Sequence, residues 1–223
     1  MFPTLASGAV HTWCVSLDVA PDTSAWLYPT LSSDERNRCA RLRFERDRQH
    51  FVVAHGVLRK LLGRYLRTHP GDIRFVSNAF GKPALSPEFG SRLKFNLSHS
   101  ADLALIAVAA DADVGVDLEC IRPHSDYGAI AQFFLSAVEV DHLNRVPSHL
   151  YAEAFLSCWT KKEAYVKARG GGLGSVPQFD GAWSLYSLQP APGYIGALAV
   201  EGRGWRVRQW HWHASVAGLI CRV

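Results

Sequence analysis

The sequence has no apolar run long enough to cross a bilayer, which argues against a membrane-spanning helix. Its first twenty residues contain no lysine or arginine, so the basic start of a secretory signal peptide is absent. The five cysteines are odd in number and scattered, without a C-x-x-C pair, which argues against a disulfide framework and a zinc site. There is also no low-complexity segment. Together these absences predict a cytoplasmic globular protein with buried thiols.

The 223 residues are 48% hydrophobic and 20% charged, which suits one domain or two small ones with a real core. The formal net charge is +4, and the positive charge is concentrated between Glu35 and Arg67. That segment contains ten lysines or arginines against three acids. Such a cluster favours an anionic partner, although the solvated face of a helix would produce the same pattern.

The order of predicted elements is repeated along the chain. A strand over 10–19 precedes a capping box, Ser32 with Glu35, and a helix over 47–66, and strands follow. The helix has a predicted core stripe of Phe51, Ala54, Leu58, Leu61, Leu62 and Tyr65. The predicted strands of this middle part span 73–76, 93–97, 103–109 and 114–118. The order strand, helices, strands then occurs again, with a second capping box at Ser136 and Glu139. We therefore predict an α+β protein with two similar lobes in a pseudo-twofold arrangement, residues 1–112 and 113–223, each with a small antiparallel sheet.

Two carboxylates stand on one predicted strand. Val114, Val116 and Leu118 alternate with polar positions, which sends Asp117 and Glu119 to the same side of the strand. Hard divalent cations such as Mg²⁺ prefer oxygen ligands of this kind and often share their coordination shell with a substrate phosphate. Taken alone, such a pair is more often the solvated face of a strand.

A third carboxylate lies on a predicted helix that ends at the glycine run 170–172. Glu163 and Lys167 are four residues apart and share one face, with Trp159 one turn before them. A surface ion pair gives the same spacing. If this face meets the strand, three carboxylates converge with a lysine.

Two further stretches suit anion binding. Gly81 and Pro83 stiffen a turn around Lys82, which can meet a phosphate as a point charge. A predicted strand then runs into the polar residues Ser98, His99 and Ser100, which we interpret as a turn at the strand end.

Four stretches in this order and spacing carry a family resemblance. They are Gly81-Lys82-Pro83, Phe95-Asn96-Leu97-Ser98-His99-Ser100, Gly115-Val116-Asp117-Leu118-Glu119 and Trp159-Thr160-Lys161-Lys162-Glu163-Ala164-Tyr165-Val166-Lys167. The chain thereby resembles the 4′-phosphopantetheinyl transferases of the surfactin-synthetase-activating (Sfp) type. The resemblance implies that family's fold and the transfer of the phosphopantetheine arm of coenzyme A to a serine of an apo acyl or peptidyl carrier protein. Adenosine 3′,5′-bisphosphate is then released, in a Mg²⁺-dependent reaction for which Mn²⁺ is a possible substitute.

The resemblance also implies roles for individual residues. Asp117, Glu119 and Glu163 would hold the metal, and Asp117, Glu163 and Lys167 would be catalytic, with Glu163 as the base. Coenzyme A would be bound by a larger set that includes the basic helix, namely Lys82, Pro83, Ser98, His99, Arg36, Arg38, Arg41, Arg48, His55 and Lys162. An apolar segment with Tyr127, Ile130 and Phe133 would supply a docking patch for the carrier.

One position departs from the family. Several relatives carry an arginine where this chain has His55, and a neutral histidine binds phosphate less strongly. Either Arg48 or Arg41 compensates, or the affinity for coenzyme A depends on pH.

Members of this type serve secondary metabolism, including polyketide and nonribosomal peptide synthesis, and usually act as monomers without membrane or nucleic acid. Two alternatives remain open at this stage. The arginine cluster would suit a non-catalytic nucleotide or nucleic-acid binding module, although clustered acids repel a phosphodiester backbone. The carboxylates would suit a metal-dependent diphosphate hydrolase, in which water replaces the serine.

Overall fold

A computed structural model describes residues 2–122, 125–171, 179 and 181–213, and the backbone of residues 220–222. Within these residues the chain forms six α-helices and two main β-sheets, so the predicted α+β class is confirmed. The helices are α1 Pro21–Leu27, α2 Ser33–Ala40, α3 Glu45–Leu66, α4 Tyr127–Phe134, α5 Ala137–Asn144 and α6 Tyr151–Arg169. No helix of the described part is long and apolar enough to cross a membrane.

The strands form a five-stranded sheet, a three-stranded sheet and a small hairpin. They are β1 Ala9–Ser16, β2 Phe75–Ser77, β3 Pro83–Leu85, β4 Leu93–Ser100, β5 Leu103–Ala110, β6 Val114–Cys120, β7 Trp183–Leu188, β8 Tyr194–Glu201, β9 Arg206–Trp212 and β10 Ile220–Arg222. The larger sheet has the order β10-β9-β1-β5-β4, and the smaller one has the order β6-β8-β7.

The larger sheet crosses the predicted boundary between the halves. Strand β1 pairs antiparallel with β5 on one side and parallel with β9, from the end of the chain, on the other. The division into residues 1–112 and 113–223 stays a prediction about sequence halves. In space, β9 and β10 belong to the sheet of the first half.

Local sequence signals set the helix ends. Both capping boxes form as predicted: Ser32 with Glu35 begins α2, and Ser136 with Glu139 begins α5. At the other end of the long helix α6, Gly170 takes the left-handed conformation with φ of 67°. Gly172, the last residue of the predicted glycine cap, lies outside the described residues.

Helix α3 packs on the larger sheet through the predicted stripe, in which Ala54, Leu58, Leu61 and Leu62 are buried. Helix α6 packs on the smaller sheet, where Ala164 and Ala168 join a buried cluster with β8. The two helices therefore cover different sheets. The edge strands β4 and β6 lie between them, and the polar residues of interest line this junction.

The structure corrects one sequence interpretation. Ser98, His99 and Ser100 are not a turn, because β4 continues to Ser100 in register with β5. The alternation of the strand therefore separates Ser98 and Ser100 from His99: the two serines are buried and His99 is exposed.

Candidate active site

Side chains of β4 reach across to β6 at a spacing of two residues. Three polar residues, Asn96, Ser98 and Ser100, face the neighbouring strand and bond to it in sequence. Asn96 Oδ1 accepts from the Val116 amide at 2.9 Å, Ser98 Oγ donates to Asp117 Oδ1 at 3.0 Å, and Ser100 Oγ donates to Glu119 Oε2 at 2.9 Å. This ladder of side-chain hydrogen bonds fixes both carboxylates of β6 at the junction of the two sheets.

Asp117 is the most buried of the carboxylates, with 3% of its surface exposed. Its Oδ1 accepts from Ser98 and forms an ion pair of 2.5 Å with Nζ of Lys167. Its Oδ2 is buried and has no hydrogen-bond partner among the described residues. A buried, unpaired carboxylate oxygen is costly, so this atom is suited to a cation or a proton.

Glu119 and Glu163 lie close enough to Asp117 for its negative charge to shift their pKa values. Burial raises the pKa of Glu163. The negative charges of Asp117 and Glu119 raise it further, and only the positive charge of Lys167 lowers it. Burial also raises the pKa of Glu119, and the negative charge of Asp117 raises it further. The hydrogen bond from Ser100 lowers it. The three carboxylates and Lys167 therefore lie near enough to influence one another electrostatically, and their role as a shared site stays a prediction.

This donor set fits a hard divalent cation. It offers three carboxylates, one of which has a buried oxygen without a partner, and their mutual repulsion is what a bound cation would relieve. Among the described residues, however, the three carboxylates do not lie within 4.8 Å of one another as a closed ligand group would. Lys167 supplies part of the neutralising charge through Asp117.

Lys162 points away from this group. Its Nζ forms an ion pair of 2.7 Å with Glu139 Oε2 at the start of α5, and 8% of the residue is exposed. Burial raises the pKa of Glu139, but hydrogen bonds from Lys162 and Ser136 outweigh it and hold the pKa at about 2. The structure thus places Lys162 in a contact between α6 and α5, whereas the resemblance assigns it to coenzyme A.

This pair predicts an acid sensitivity. The pKa of Glu139 is depressed from 4.5 to about 2, so its stabilising effect is present above pH 4.5 and is lost as the pH falls towards 2. Lys162→Met should make the fall of the unfolding free energy over this range shallower, by up to the equivalent of about one proton, because only the bonds from Ser136 remain to depress the pKa of Glu139. Urea unfolding at several pH values measures it. An unchanged slope would contradict the pairing.

A cleft with two compartments adjoins the carboxylates. The larger compartment, about 700 Å³, is lined by α3 and by His99, Glu119 and Arg122. The other, about 500 Å³, is lined by residues of α2, β3 and β4 that include Arg38 and Pro83. His55 and His99 line both compartments. Glu119 therefore connects the carboxylate group with a cleft that has histidines and arginines in its walls.

The arginines of the basic helix are divided by the structure. Arg38 lines the smaller compartment and packs over the ring of Phe51, whereas Arg36, Arg41 and Arg48 are not among the described residues that line either compartment. Arg48 bonds instead to Glu45 and to the carbonyl of Leu42. The suggestion that Arg48 compensates for His55 is therefore not favoured by its position.

Two other predicted phosphate contacts have protein partners. Ser98 is buried and bonds to Asp117 and Lys167, so it positions the carboxylate group. Lys82 Nζ donates to the carbonyls of Val114 at 3.2 Å and Ala168 at 2.5 Å. Pro83 and His99 do face the cleft, as does His55.

Sequence reasoning missed several cleft residues. Arg46, His50 and Arg122 line the larger compartment, and Arg74 lines the smaller one. The spacing of four between Arg46, His50 and Ala54 places them on one face of α3 and could have indicated the first two. No local signal marks Arg74 or Arg122. Arg74 reaches its compartment through packing of distant elements of the first half, and Arg122 reaches the larger one where residues of the two halves meet.

A second polar group stands at the rim of this cleft. Ligand atoms of Asp18, His50 and Asp102 lie within 4.8 Å of one another. Arg46 forms ion pairs with both aspartates, so part of the negative charge of the group is already balanced by the protein. The group therefore acts as a bridge between α3, the end of β1 and the β4–β5 turn.

Comparison with known proteins identifies the class to which this fold and site belong. Residues 113–221 match the family described as "4'-phosphopantetheinyl transferase superfamily", and residues 20–111 match "4'-phosphopantetheinyl transferase, N-terminal". The chain belongs to the 4′-phosphopantetheinyl transferase superfamily.

Three relatives support this assignment. The 4′-phosphopantetheinyl transferase HetI of Nostoc sp. (strain PCC 7120) is 38% identical over 94% of this chain and 94% of its own length. The 4′-phosphopantetheinyl transferase AcpT of Escherichia coli (strain K12) is 35% identical over 64% of this chain and 68% of its own. The 4′-phosphopantetheinyl transferase psf-1 of Bacillus pumilus is 34% identical over 66% of this chain and 61% of its own.

Proposed function

We propose that this protein transfers the 4′-phosphopantetheine arm of coenzyme A to a serine of an apo acyl or peptidyl carrier protein and releases adenosine 3′,5′-bisphosphate. The superfamily assignment carries the reaction class. The observation that carries the mechanism is the convergence of Asp117, Glu119 and Glu163 with Lys167 beside a basic cleft. The Sfp-type subclass, and service to polyketide or nonribosomal peptide synthesis, are part of the proposal.

Coenzyme A is proposed to occupy the two-compartment cleft. Arg38, His55 and His99 line the smaller compartment and supply donors for phosphate, while Pro83 contributes an apolar wall for adenine. His99 faces away from Ser98 and therefore remains available to the cleft. In this arrangement the diphosphate lies towards Glu119, at the boundary between the cleft and the carboxylates.

Asp117, Glu119 and Glu163 are proposed to hold Mg²⁺, with Mn²⁺ as a possible substitute. Bound there, the cation would supply positive charge to the diphosphate as negative charge develops on it. Asp117 offers its unpaired Oδ2, and Ser98 and Ser100 hold the carboxylates of β6 in place. Hydrogen bonds to the ligating carboxylates orient them and raise metal affinity.

Glu163 is proposed to accept the proton of the carrier serine, directly or through a water. As the serine Oγ forms its bond to the β-phosphorus, the bond from that phosphorus to the bridging oxygen breaks and its electron pair leaves with adenosine 3′,5′-bisphosphate. Because a bound cation makes a carboxylate a weaker base, the route through a water is favoured for a Glu163 that also holds the metal. Lys167 supplies positive charge beside the developing negative charge.

The carrier is proposed to dock on α4 and the start of α5. Phe133 is 85% exposed, Val138 66% and Ile130 38%, so this end of the second lobe presents an apolar surface. Tyr127 belongs to the core instead, where it packs on Phe155. Arg122, which precedes α4, adds positive charge for an acidic partner. We also propose that the protein is a cytoplasmic monomer and that it binds neither membranes nor nucleic acid.

The test is intact-mass spectrometry of apo acyl and peptidyl carrier proteins after incubation with this protein, coenzyme A and Mg²⁺. A gain of one phosphopantetheine that EDTA abolishes would support both the transfer and the metal. Release of adenosine bisphosphate without any carrier would instead support the hydrolase alternative. No gain on any carrier type, with coenzyme A intact, would contradict the proposal.

A further inference from the structure

The loop between β2 and β3 reaches across the molecule to α6. Asn78 Nδ2 donates to the carbonyl of Gly170 at 2.8 Å. Lys82 Nζ donates to the carbonyl of Ala168 at 2.5 Å and to that of Val114 at 3.2 Å. The loop of the first half of the sequence is therefore bonded to the last turn of α6 and to the first residue of β6, both in the second half.

Asn78 also organises the loop itself. Its side-chain Oδ1 accepts from the backbone amides of Phe80 at 3.0 Å and Lys82 at 2.9 Å. Its backbone amide donates to the Lys82 carbonyl at 3.1 Å. These bonds form a compact turn of the kind that asparagine side chains stabilise. The position of the Lys82 side chain is thus set by Asn78, and the two residues act as one unit.

The last carbonyls of a helix have no partner within the helix, and a lysine is well suited to them because the helix end is negative. Lys82 fills this role for α6. Burial lowers the pKa of Lys82, with a smaller contribution from Lys94, while Asp113 opposes them. Two of the three donors of the ammonium group are occupied by carbonyls.

The segments that Lys82 holds are the ones that carry the reaction groups. Ala168 follows Lys167, whose Nζ bonds to Asp117 and Ser98. Val114 begins β6, three residues before Asp117. A shift of the end of α6 relative to β6 would therefore change the distance between Lys167 and Asp117 directly.

The packing beside the loop leaves little freedom. A Cβ at Gly170 would lie 2.6 Å from Asn78 Nδ2 and 3.2 Å from Lys82 Cδ, so glycine permits the close approach as well as the left-handed cap. The close contact thus depends on Asn78 and Lys82 of the loop and on the missing side chain of Gly170 at the helix end.

We propose that Asn78 and Lys82 form a clamp that positions the end of α6 against β6, and that Lys82 acts on the reaction through Lys167 and Asp117 rather than by binding a phosphate of coenzyme A. The inference deepens the proposed function and rests on it. It makes Lys82 and Asn78 positioning residues, in contrast to the phosphate contact that the sequence resemblance implies for Lys82.

The test uses the full-length variants Lys82→Met and Asn78→Ala. Steady-state transfer to an apo carrier gives kcat and KM, and calorimetry gives Kd for coenzyme A and for 3′-dephospho-coenzyme A. Both variants should lower kcat by about 10- to 100-fold while Kd for coenzyme A stays within about twofold of wild type. The two are expected to behave alike because they disturb the same clamp.

Lys94→Met is the matched control. Lys94 lines the same crevice beside α6 and its loss removes the same charge, but it contacts Asp113 and no carbonyl of α6. It should keep kcat within about twofold of wild type. If Lys82→Met instead raises Kd for coenzyme A tenfold or more, or if Lys94→Met lowers kcat as much as Lys82→Met does, the clamp is contradicted.

Hydrogen exchange separates this inference from the proposed function. The amides of Gly170 and Gly171 bond to the carbonyls of Lys167 and Val166. They should exchange faster in Lys82→Met and Asn78→Ala than in Lys94→Met. If the wild-type protein modifies no carrier, the proposed function fails, and this comparison still decides the clamp: equal protection in all three variants would overturn it.

Discussion

Glu163→Gln is expected to lower kcat by on the order of 10³-fold, within the range that a general base contributes, while KM for coenzyme A changes by less than about threefold. The glutamine amide keeps the shape of the side chain. It cannot accept the serine proton, and it has no negative charge with which to bind a cation. Transfer followed by intact-mass spectrometry at several coenzyme A concentrations measures both constants.

The same substitution should not harm the fold. The pKa of Glu163 is raised in the folded protein by burial and by Asp117, so its charged form destabilises the native state once the pH rises above its ordinary value of 4.5. An amide removes that penalty, and we expect the melting temperature at pH 7 to equal or exceed that of wild type. Turnover near the wild-type rate would remove Glu163 from the mechanism, whereas a large loss of melting temperature would contradict the electrostatic account.

Features that depend on a few neighbouring residues could be predicted from the sequence. Both capping boxes and the stripe of α3 are local patterns, and they formed as expected. The end of β4 could not be predicted in this way. Three short polar residues are typical of a turn, but backbone pairing with β5 makes them part of a strand. Their hydroxyl partners on β6, about twenty positions later, are no easier to predict from local sequence.

In the candidate site, too, features set by neighbouring residues were predictable and contacts between distant elements were not. Alternation on β6 and the spacing of four on α6 correctly grouped Asp117 and Glu119, and Glu163 with Lys167, on shared faces. The partners of long charged side chains were not predictable. Lys162 and Lys82 each reach a group in another element, and no spacing along the chain identifies Glu139 or the Ala168 carbonyl as that group.

Gly115→Ala should have the largest structural effect of any single methyl group near the site. A Cβ at Gly115 would lie 2.1 Å from the Ala164 carbonyl oxygen, 2.4 Å from the Ala168 amide nitrogen and 2.8 Å from its Cα. These are backbone atoms of α6, which cannot rotate away as a side chain can. The helix must therefore move from β6 by about 1 Å, and a displacement of that size at a catalytic group can cost about 10²-fold in rate.

The expected cost in stability is about 1–3 kcal/mol or more, as for other overpacked sites, which lowers the melting temperature by about 2–4 °C for each kcal/mol in a chain of this size. Guanidinium unfolding and kcat for carrier modification measure the two effects. Gly128→Ala is the control, because its nearest atom, Asp126 Oδ1, is 3.6 Å away and the residue lies in α4. That variant should change the unfolding free energy by less than about 1 kcal/mol. If Gly115→Ala matched it in both stability and rate, α6 would not be held against β6 at this point, and the placement of Glu163 and Lys167 beside Asp117 would lose its structural basis.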